Sequence, residues 1–300
     1  MDICCLDMDS SSLRYFITFI DNIRTKNDPN TFSQVMNSKE LDLWYNVMKE
    51  EMDSMTSNRV WDLFELLDGA KAIGCIWVFK TKQKNSQGNI ESHKERLVAK
   101  GFNQRERNDY REIFSLMSKK DYFRVVIALV AHFDFELHQM YVKTAFINGD
   151  LEEEVYMKQL EDFFFSISEH LVCKLNKSIH GLKQASRQWY LKFHEVIPSF
   201  DFEENDMDQC IYQKVSGCKI CFLVLYVDDI LLATNDNGML YKVKQFLSKN
   251  FDMKDMGEAS YVIVIKIHRE RSQGILGRVI KTGPARPVGP GPGRLTGPVL

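Results

Sequence analysis

An α+β fold with antiparallel strand pairs is predicted by three features of the sequence. Apolar repeats of three to four residues alternate along the chain with repeats of two, so helices and strands are interleaved. Strand-like segments come in neighbouring pairs joined by turn residues, the signature of hairpins. Apolar residues make up 44% and charged residues 27% of the 300, the composition of a globular chain able to bury a core.

The elements follow in order. Residues 1–30 form an uncertain lead without clear caps or repeats. Thr31-Phe-Ser-Gln34 fits a capping box, the hydroxyl and the amide each satisfying one open amide at a helix start. Leu41, Trp44, Met48, Met52 and Met55 then mark one apolar helix face, whose methionines read as packing. Ile73 to Lys80 reads as a strand, Asn85-Ser-Gln-Gly-Asn89 as a turn, and Glu91 to Phe102 as the returning strand. A helix runs from Asp121 through Val130 with Phe123, Val126, Ile127 and Val130 inward. Leu137 to Ile147 reads as a buried strand. Ala185 to Phe200 is an amphipathic helix facing inward through Trp189, Phe193, Val196, Ile197 and Phe200. Cys221 to Ala233 is two apolar strands around a turn. Met239, Leu240, Val243, Phe246, Leu247 and Phe251 line a further helix, and Tyr261 to His268 is a last strand. The final 30 residues hold seven Gly, five Pro and no acid. A tail over 278–300 is therefore expected to be disordered, because it cannot bury enough to offset chain entropy.

Net charge is −2, which excludes a bulk polycation; any contact with nucleic acid must come from a local patch. Between residues 71 and 120, 12 Lys and Arg stand against five Asp and Glu. Lys80, Lys82 and Lys84 alternate onto one face of the first hairpin strand, and Lys94, Arg96 and Lys100 onto one face of the second. Such a face is either simply solvated or a cation cluster for phosphates. Seven scattered cysteines, Cys4, Cys5, Cys75, Cys173, Cys210, Cys218 and Cys221, do not form a disulfide framework, so no disulfide partner is expected. Cys218 and Cys221 make one C-x-x-C without a second pair, which reads as strand cysteines in preference to a zinc site. There is no signal-peptide pattern. The apolar run from Ile220 to Ala233 is cut by Asp228 and Asp229 and is too short to span a bilayer. An intracellular location, cytoplasmic or nuclear and away from membranes, is the expectation.

Phe222-Leu-Val-Leu-Tyr-Val-Asp-Asp-Ile-Leu-Leu-Ala233 puts two carboxylates at the tip of an apolar hairpin. Burying unpaired carboxylates is costly. They are either exposed turn residues or ligands to a hard cation such as magnesium. Tyr226-Val-Asp-Asp229 resembles the catalytic hairpin of reverse transcriptases. Arg96-Leu-Val-Ala-Lys-Gly-Phe102, Val142-Lys-Thr-Ala-Phe146 with Asn148-Gly-Asp-Leu-Glu152, Gly181-Leu-Lys-Gln-Ala-Ser-Arg187 with Trp189, and Phe251-Asp-Met-Lys-Asp-Met-Gly-Glu-Ala259 follow one branch in the same order. On these motifs, from about residue 31 to 277, the chain resembles the polymerase domain of copia-type long-terminal-repeat retrotransposons.

The resemblance implies a palm and fingers, with an antiparallel palm sheet backed by helices. It also implies nucleotidyl transfer from deoxynucleotides on an RNA or DNA primer–template, with two Mg2+ ions. It assigns the metal-holding carboxylates to Asp228 and Asp229, and the triphosphate cations to Arg96 and Lys80. Phe146 matches the aromatic that excludes a ribose 2′-hydroxyl, and Lys183 and Gln184 lie in the nucleotide-contacting segment. Lys82, Lys84, Lys94, Lys100 and Arg187 would track the nucleic-acid backbone.

One departure dominates. Where the family carries a third carboxylate, immediately before Val142, this chain has Tyr141. A phenol with a pKa of ~10 cannot replace a carboxylate bridging two cations. Activity is therefore expected to be impaired, which leaves a non-catalytic nucleic-acid-binding remnant as the alternative. His180 stands for a usual Tyr, Leu160 for Pro, Asp162 for Gly and Val264 for Gly. The pattern stops at Arg278, as after a frame change or a new splice junction. The expectation is thus a degenerate, truncated copy without thumb, ribonuclease H, integrase or protease segments.

Overall fold

The computed structural model describes residues 28–67, 69–83, 90–105, 109–111, 120–160, 170–259, 261–262, 265–270 and 275–280. Most of the expected lead, the Asn85–Asn89 turn, Lys84, Asp162, Val264, Cys4, Cys5 and the tail from 281 lie outside the described residues.

Helix α1 (Phe32–Met36) opens with the Thr31 hydroxyl accepting from the Gln34 amide. The Gln34 side chain reaches back one residue further than expected, accepting from the Asn30 amide at 2.6 Å. Helix α2 (Leu41–Ser57) buries Trp44, Met48, Met52 and Met55, the stripe read in the sequence. Strand β1 (Trp61–Glu65) follows, then the hairpin of β2 (Cys75–Gln83) and β3 (Ile90–Ala99). The returning strand stops three residues before Phe102, which lies in a 3₁₀ turn over Gly101–Asn103.

Helix α3 (Lys120–His132) leads into β4 (Glu136–Val142). That strand is shorter than Leu137 to Ile147. The backbone leaves it after Val142 because Phe146–Asn148 forms a 3₁₀ turn into β5 (Asp150–Lys158). Strand β6 (Leu171–Lys177) pairs with both β5 and β1. Helix α4 covers Ala185–Val196 only, and Ile197–Phe200 tightens to 3₁₀ with Pro198 at its start. Strands β7 (Glu203–Asn205), β8 (Asp208–Ser216), β9 (Lys219–Tyr226) and β10 (Asp229–Thr234) precede helix α5 (Asn237–Asn250), which Asp236 caps through the Met239 amide at 2.7 Å. Strand β11 (Met253–Glu258) comes next. The expected last strand is broken into β12 (Tyr261–Val262) and β13 (Ile265–Glu270), and β14 (Ile275–Ile280) pairs with β13. Backbone pairing therefore runs three residues past the expected boundary at 277.

The central sheet has the order β11-β4-β10-β9-β8-β7 with every pairing antiparallel. Alternation sends its two residue sets to opposite faces. Met140, Val142, Leu223, Leu225, Ile230 and Leu232 share one core with Trp189 and Phe193 of α4 and Val243 and Leu247 of α5. Leu137, Val224, Leu231 and Ala233 face the other way, onto Phe123, Val126 and Val130 of α3. This second face is helix-covered at one end only. At its other end, Gln139, Tyr141, Tyr226 and Asp229 are half-buried.

The β2–β3 hairpin, α2 and the β1-β6-β5 sheet share a further core. Within it, the hairpin joins the segment between β6 and α4 through backbone. The Ala99 amide donates to the His180 carbonyl at 2.8 Å, and Gly101 and Gly181 touch. A Cβ on Gly101 would lie 2.0 Å from the Gly181 oxygen, and one on Gly181 2.1 Å from the Ala99 oxygen.

Inside the hairpin, Glu95 is 6% and Glu51 of α2 is 9% exposed. Burial and then the neighbouring Glu51 charge push Glu95 up to about 7, against the pull of Arg96. The folded state thus holds a proton that the unfolded chain releases near 4.5. This group's contribution is retained in acid and lost as pH rises from about 4.5 through 7. Glu95→Gln is expected to stabilise the protein by about 2–3 kcal/mol at pH 8 and by little at pH 5. Urea unfolding at the two pH values checks this; equal differences at both would refute it.

Candidate active site

The open end of the central sheet carries the chemistry. Asp229 stands opposite Tyr226 on β9 and opposite Tyr141 on β4, and Tyr141 in turn stands opposite Lys254 on β11. Directly paired residues project to the same face. The register therefore puts Tyr141 beside Asp229, where the resemblance expects a third carboxylate. Gln139, two residues along the strand, donates to Asp229 Oδ1 at 2.8 Å.

The tip between β9 and β10 is tight. Val227 adopts φ 52°, a left-handed conformation that costs a β-branched residue free energy. Two hydrogen bonds hold it: Trp189 Nε1 donates to the Val227 carbonyl at 2.8 Å, and the Val142 amide donates to the Asp228 carbonyl at 2.8 Å. Burial, then the Asp229 charge, push Asp228 up to about 6 against the opposing pull of Arg96. Burial also raises Asp229, partly offset by the Gln139 bond. The Tyr141 phenol is raised by burial and by Asp228, opposed by Arg96, with which it shares a side-chain hydrogen bond.

Arg96 is thus drawn towards the carboxylates. It also donates from Nη1 to the Glu95 carbonyl at 2.8 Å and lies 4.0 Å from Glu51. Lys80 and Lys94 face each other across the hairpin on the same face as Arg96. Lys82 is in β2. Lys100 lies beyond β3 with its aliphatic stem over Gly74, so the strand alternation does not extend to it. Arg187 sits half-buried in the first turn of α4.

Phe146 is half-buried between two cores and meets the His180 ring edge-on, centroids 4.8 Å apart. Burial, then Arg96, pull His180 down to about 3, so it is neutral at ordinary pH. Leu160 packs against the fingers-side core.

Lys183 and Gln184, expected in the nucleotide-contacting segment, make contacts within the protein. Gln184 is 0% exposed, accepting from Gln104 Nε2 at 3.0 Å and donating to the Asp109 carbonyl at 2.9 Å. Lys183 Nζ lies 3.3 Å from the Gln104 carbonyl and from the Tyr110 hydroxyl, and 4.7 Å from the Tyr110 ring centroid. Both side chains tie the start of α4 to the loop after β3. Gln104, whose Oε1 also accepts from the Lys183 amide at 2.9 Å, was not singled out in the sequence. Its partners Lys183 and Gln184 are about 80 residues away, and no local pattern announces them. Gln139 was also missed, although its i−2 spacing from Tyr141 on a strand would have placed it beside the acidic pair.

As a donor set, two adjacent carboxylates suit one hard cation. They do not suit a pair of cations. Among the described residues no third carboxylate, His or Cys joins them, and the strand position directly across from Asp229 is taken by the Tyr141 phenol.

Comparison with known proteins agrees with this architecture. The family described as "Reverse transcriptase (RNA-dependent DNA polymerase)" matches residues 58–279. The chain is similar to the retrovirus-related Pol polyprotein from transposon TNT 1-94 of Nicotiana tabacum, 42% identical over 262 residues, covering 87% of this chain and 20% of that protein. It is 34% identical over 249 residues to the retrovirus-related Pol polyprotein from transposon RE1 of Arabidopsis thaliana, covering 83% of this chain and 17% of that protein. The corresponding protein from transposon RE2 of the same plant is 34% identical over 253 residues, 84% of this chain and 17% of that protein. The chain spans about a fifth of the length of these relatives. With the motifs in order, the palm-like sheet and the acidic hairpin tip, the chain belongs to the reverse transcriptase family, as a domain of the copia-type transposon Pol polyproteins.

Proposed function

We propose that this domain binds RNA or DNA primer–template and deoxynucleotides, and that its RNA-directed DNA synthesis is strongly impaired. The observation that carries the reading is Tyr141, in register directly beside Asp229. Asp228 and Asp229 would hold one Mg2+, which would supply charge neutralisation for a polyphosphate. No step can be derived through a second ion.

The chain's own residues supply the rest. Lys80 and Lys94 form a basic face on the fingers hairpin, continuous with Arg96. They would hold phosphates without reading sequence. Phe146, fixed between two cores, would limit the room at the sugar and so favour deoxynucleotides. Arg96, which already donates to the Glu95 carbonyl and lies 4.0 Å from Glu51, would reach the triphosphate from the same hairpin face.

The unit is proposed to start near residue 31, since Val35 of α1 and Trp44 of α2 share a core with the hairpin. The proposed setting is the cytoplasm or nucleus. Buried thiols at Cys173, Cys210 and Cys221 suit a reducing compartment. Among the described residues no helix is long and apolar enough to cross a membrane.

Fluorescence anisotropy with a labelled RNA–DNA primer–template, titrated with salt, tests the binding half. About four phosphate contacts predict a slope near −3 to −4 of log affinity against log salt. Binding that ignores salt, or primer extension at a rate typical of polymerases, would overturn the reading.

A further inference from the structure

We infer that Trp189 is a positioning residue for the Asp228–Asp229 pair: its indole N–H holds the Val227 carbonyl and so keeps a strained tip in the conformation that brings the two carboxylates together. The inference rests on the reading that the pair is a cation site.

Three observations converge. Val227 is β-branched, yet sits at φ 52°. A strained residue persists only where its surroundings over-determine it. Besides the Tyr226–Asp229 pairing that closes the two-residue loop, two further hydrogen bonds hold it, and one of them comes from a side chain, the Trp189 indole at 2.8 Å. Finally, the indole is itself immobile. Trp189 is 1% exposed, its ring packs edge-on to Phe251 at 5.2 Å and tilted on Phe193 at 5.4 Å.

The clamp also connects two parts of the site. Trp189 lies five residues beyond Gln184, whose amide is locked to Gln104 and Asp109. The loop after β3 therefore sets where α4 begins, and α4 sets where the acidic tip stands. Packing alone would not need a donor at this position, because phenylalanine fills an apolar pocket as well. The nitrogen aimed at a strained carbonyl marks a role beyond core filling.

The test uses Trp189→Phe, which keeps an aromatic ring and removes the donor. Manganese is the probe, and the free-ion electron paramagnetic resonance signal gives the dissociation constant. Removing a group that orients metal ligands weakens metal affinity by about tenfold or more. That loss is expected in a variant that still melts cooperatively, and an unchanged constant would overturn the inference. Should the unaltered protein bind no manganese, the cation-site reading fails. The positioning role is then decided by amide exchange at Val142, whose N–H bonds the Asp228 carbonyl. Faster exchange in Trp189→Phe supports it, and unchanged exchange refutes it.

A second variant guards against a general packing defect. Val227→Gly removes the strain, so adding Trp189→Phe to it should accelerate Val142 exchange far less than in the unaltered background. Equal acceleration in both backgrounds would show that the indole acts through packing, against the proposal.

Discussion

Tyr141→Asp is expected to raise magnesium-dependent primer extension by ~1,000-fold or more. Stabilisation of developing charge by a bound metal contributes several kcal/mol, and each ~1.4 kcal/mol is tenfold in rate. Asp229 already stands directly across from position 141, so the new carboxylate would enter a site whose other acids are in place. Arg96, whose charge already bears on this position, would pair with the new carboxylate until a cation takes its place. Tyr141→Phe is the control. It removes the hydroxyl but supplies no carboxylate, so it should leave extension near the starting level. Extension assays with RNA template in magnesium compare the three proteins. Equal rates for the unaltered chain and Tyr141→Asp would defeat the claim that the missing carboxylate limits activity.

Gly181→Ala is expected to destabilise the fold by about 3–5 kcal/mol, among the largest effects a single substitution produces. Two costs coincide there. The backbone has φ +90°, which alanine adopts only under strain, and the new Cβ would sit 2.1 Å from the Ala99 oxygen. That oxygen belongs to backbone, which cannot rotate away as a side-chain end can. Gly217→Ala is the control: φ is +61° but nothing lies within 4 Å of the added carbon. Its cost should be limited to backbone strain, about 1 kcal/mol. Denaturant unfolding of both variants reads the difference. A Gly181→Ala loss no greater than that of Gly217→Ala would show that the joint between the hairpin and the β6–α4 segment yields easily.

The parts of the fold that could be read in the sequence are those whose residues alternate or repeat under burial. The hairpin from Cys221 to Ala233 is apolar on both faces because the sheet is packed on both sides there, and α2 shows its Trp and Met stripe. Strands β1 and β5 escaped for the opposite reason. β1 is an exposed edge apart from half-buried Trp61, and the first half of β5 is the acidic run Asp150-Leu-Glu-Glu-Glu154, so neither shows clear alternation. Strand ends were over-extended at Phe102 and Ile147 because 3₁₀ turns continue an apolar pattern after strand pairing stops.

The acidic pair and Tyr141 could be found because chemistry and order in the chain coincide. Gln184 shows the limit of that approach. Its amide bonds Gln104 and Asp109, partners separated from it by 80 and 75 residues, and no local pattern in the chain announces them.

The half-covered sheet face has a consequence for how such a domain ages. Polymerase centres of this type crowd acids at a desolvated edge, and without metal those acids repel one another. A neutral ring at position 141, directly across from Asp229, removes part of that repulsion, so the metal-free fold is expected to be the sturdier for it.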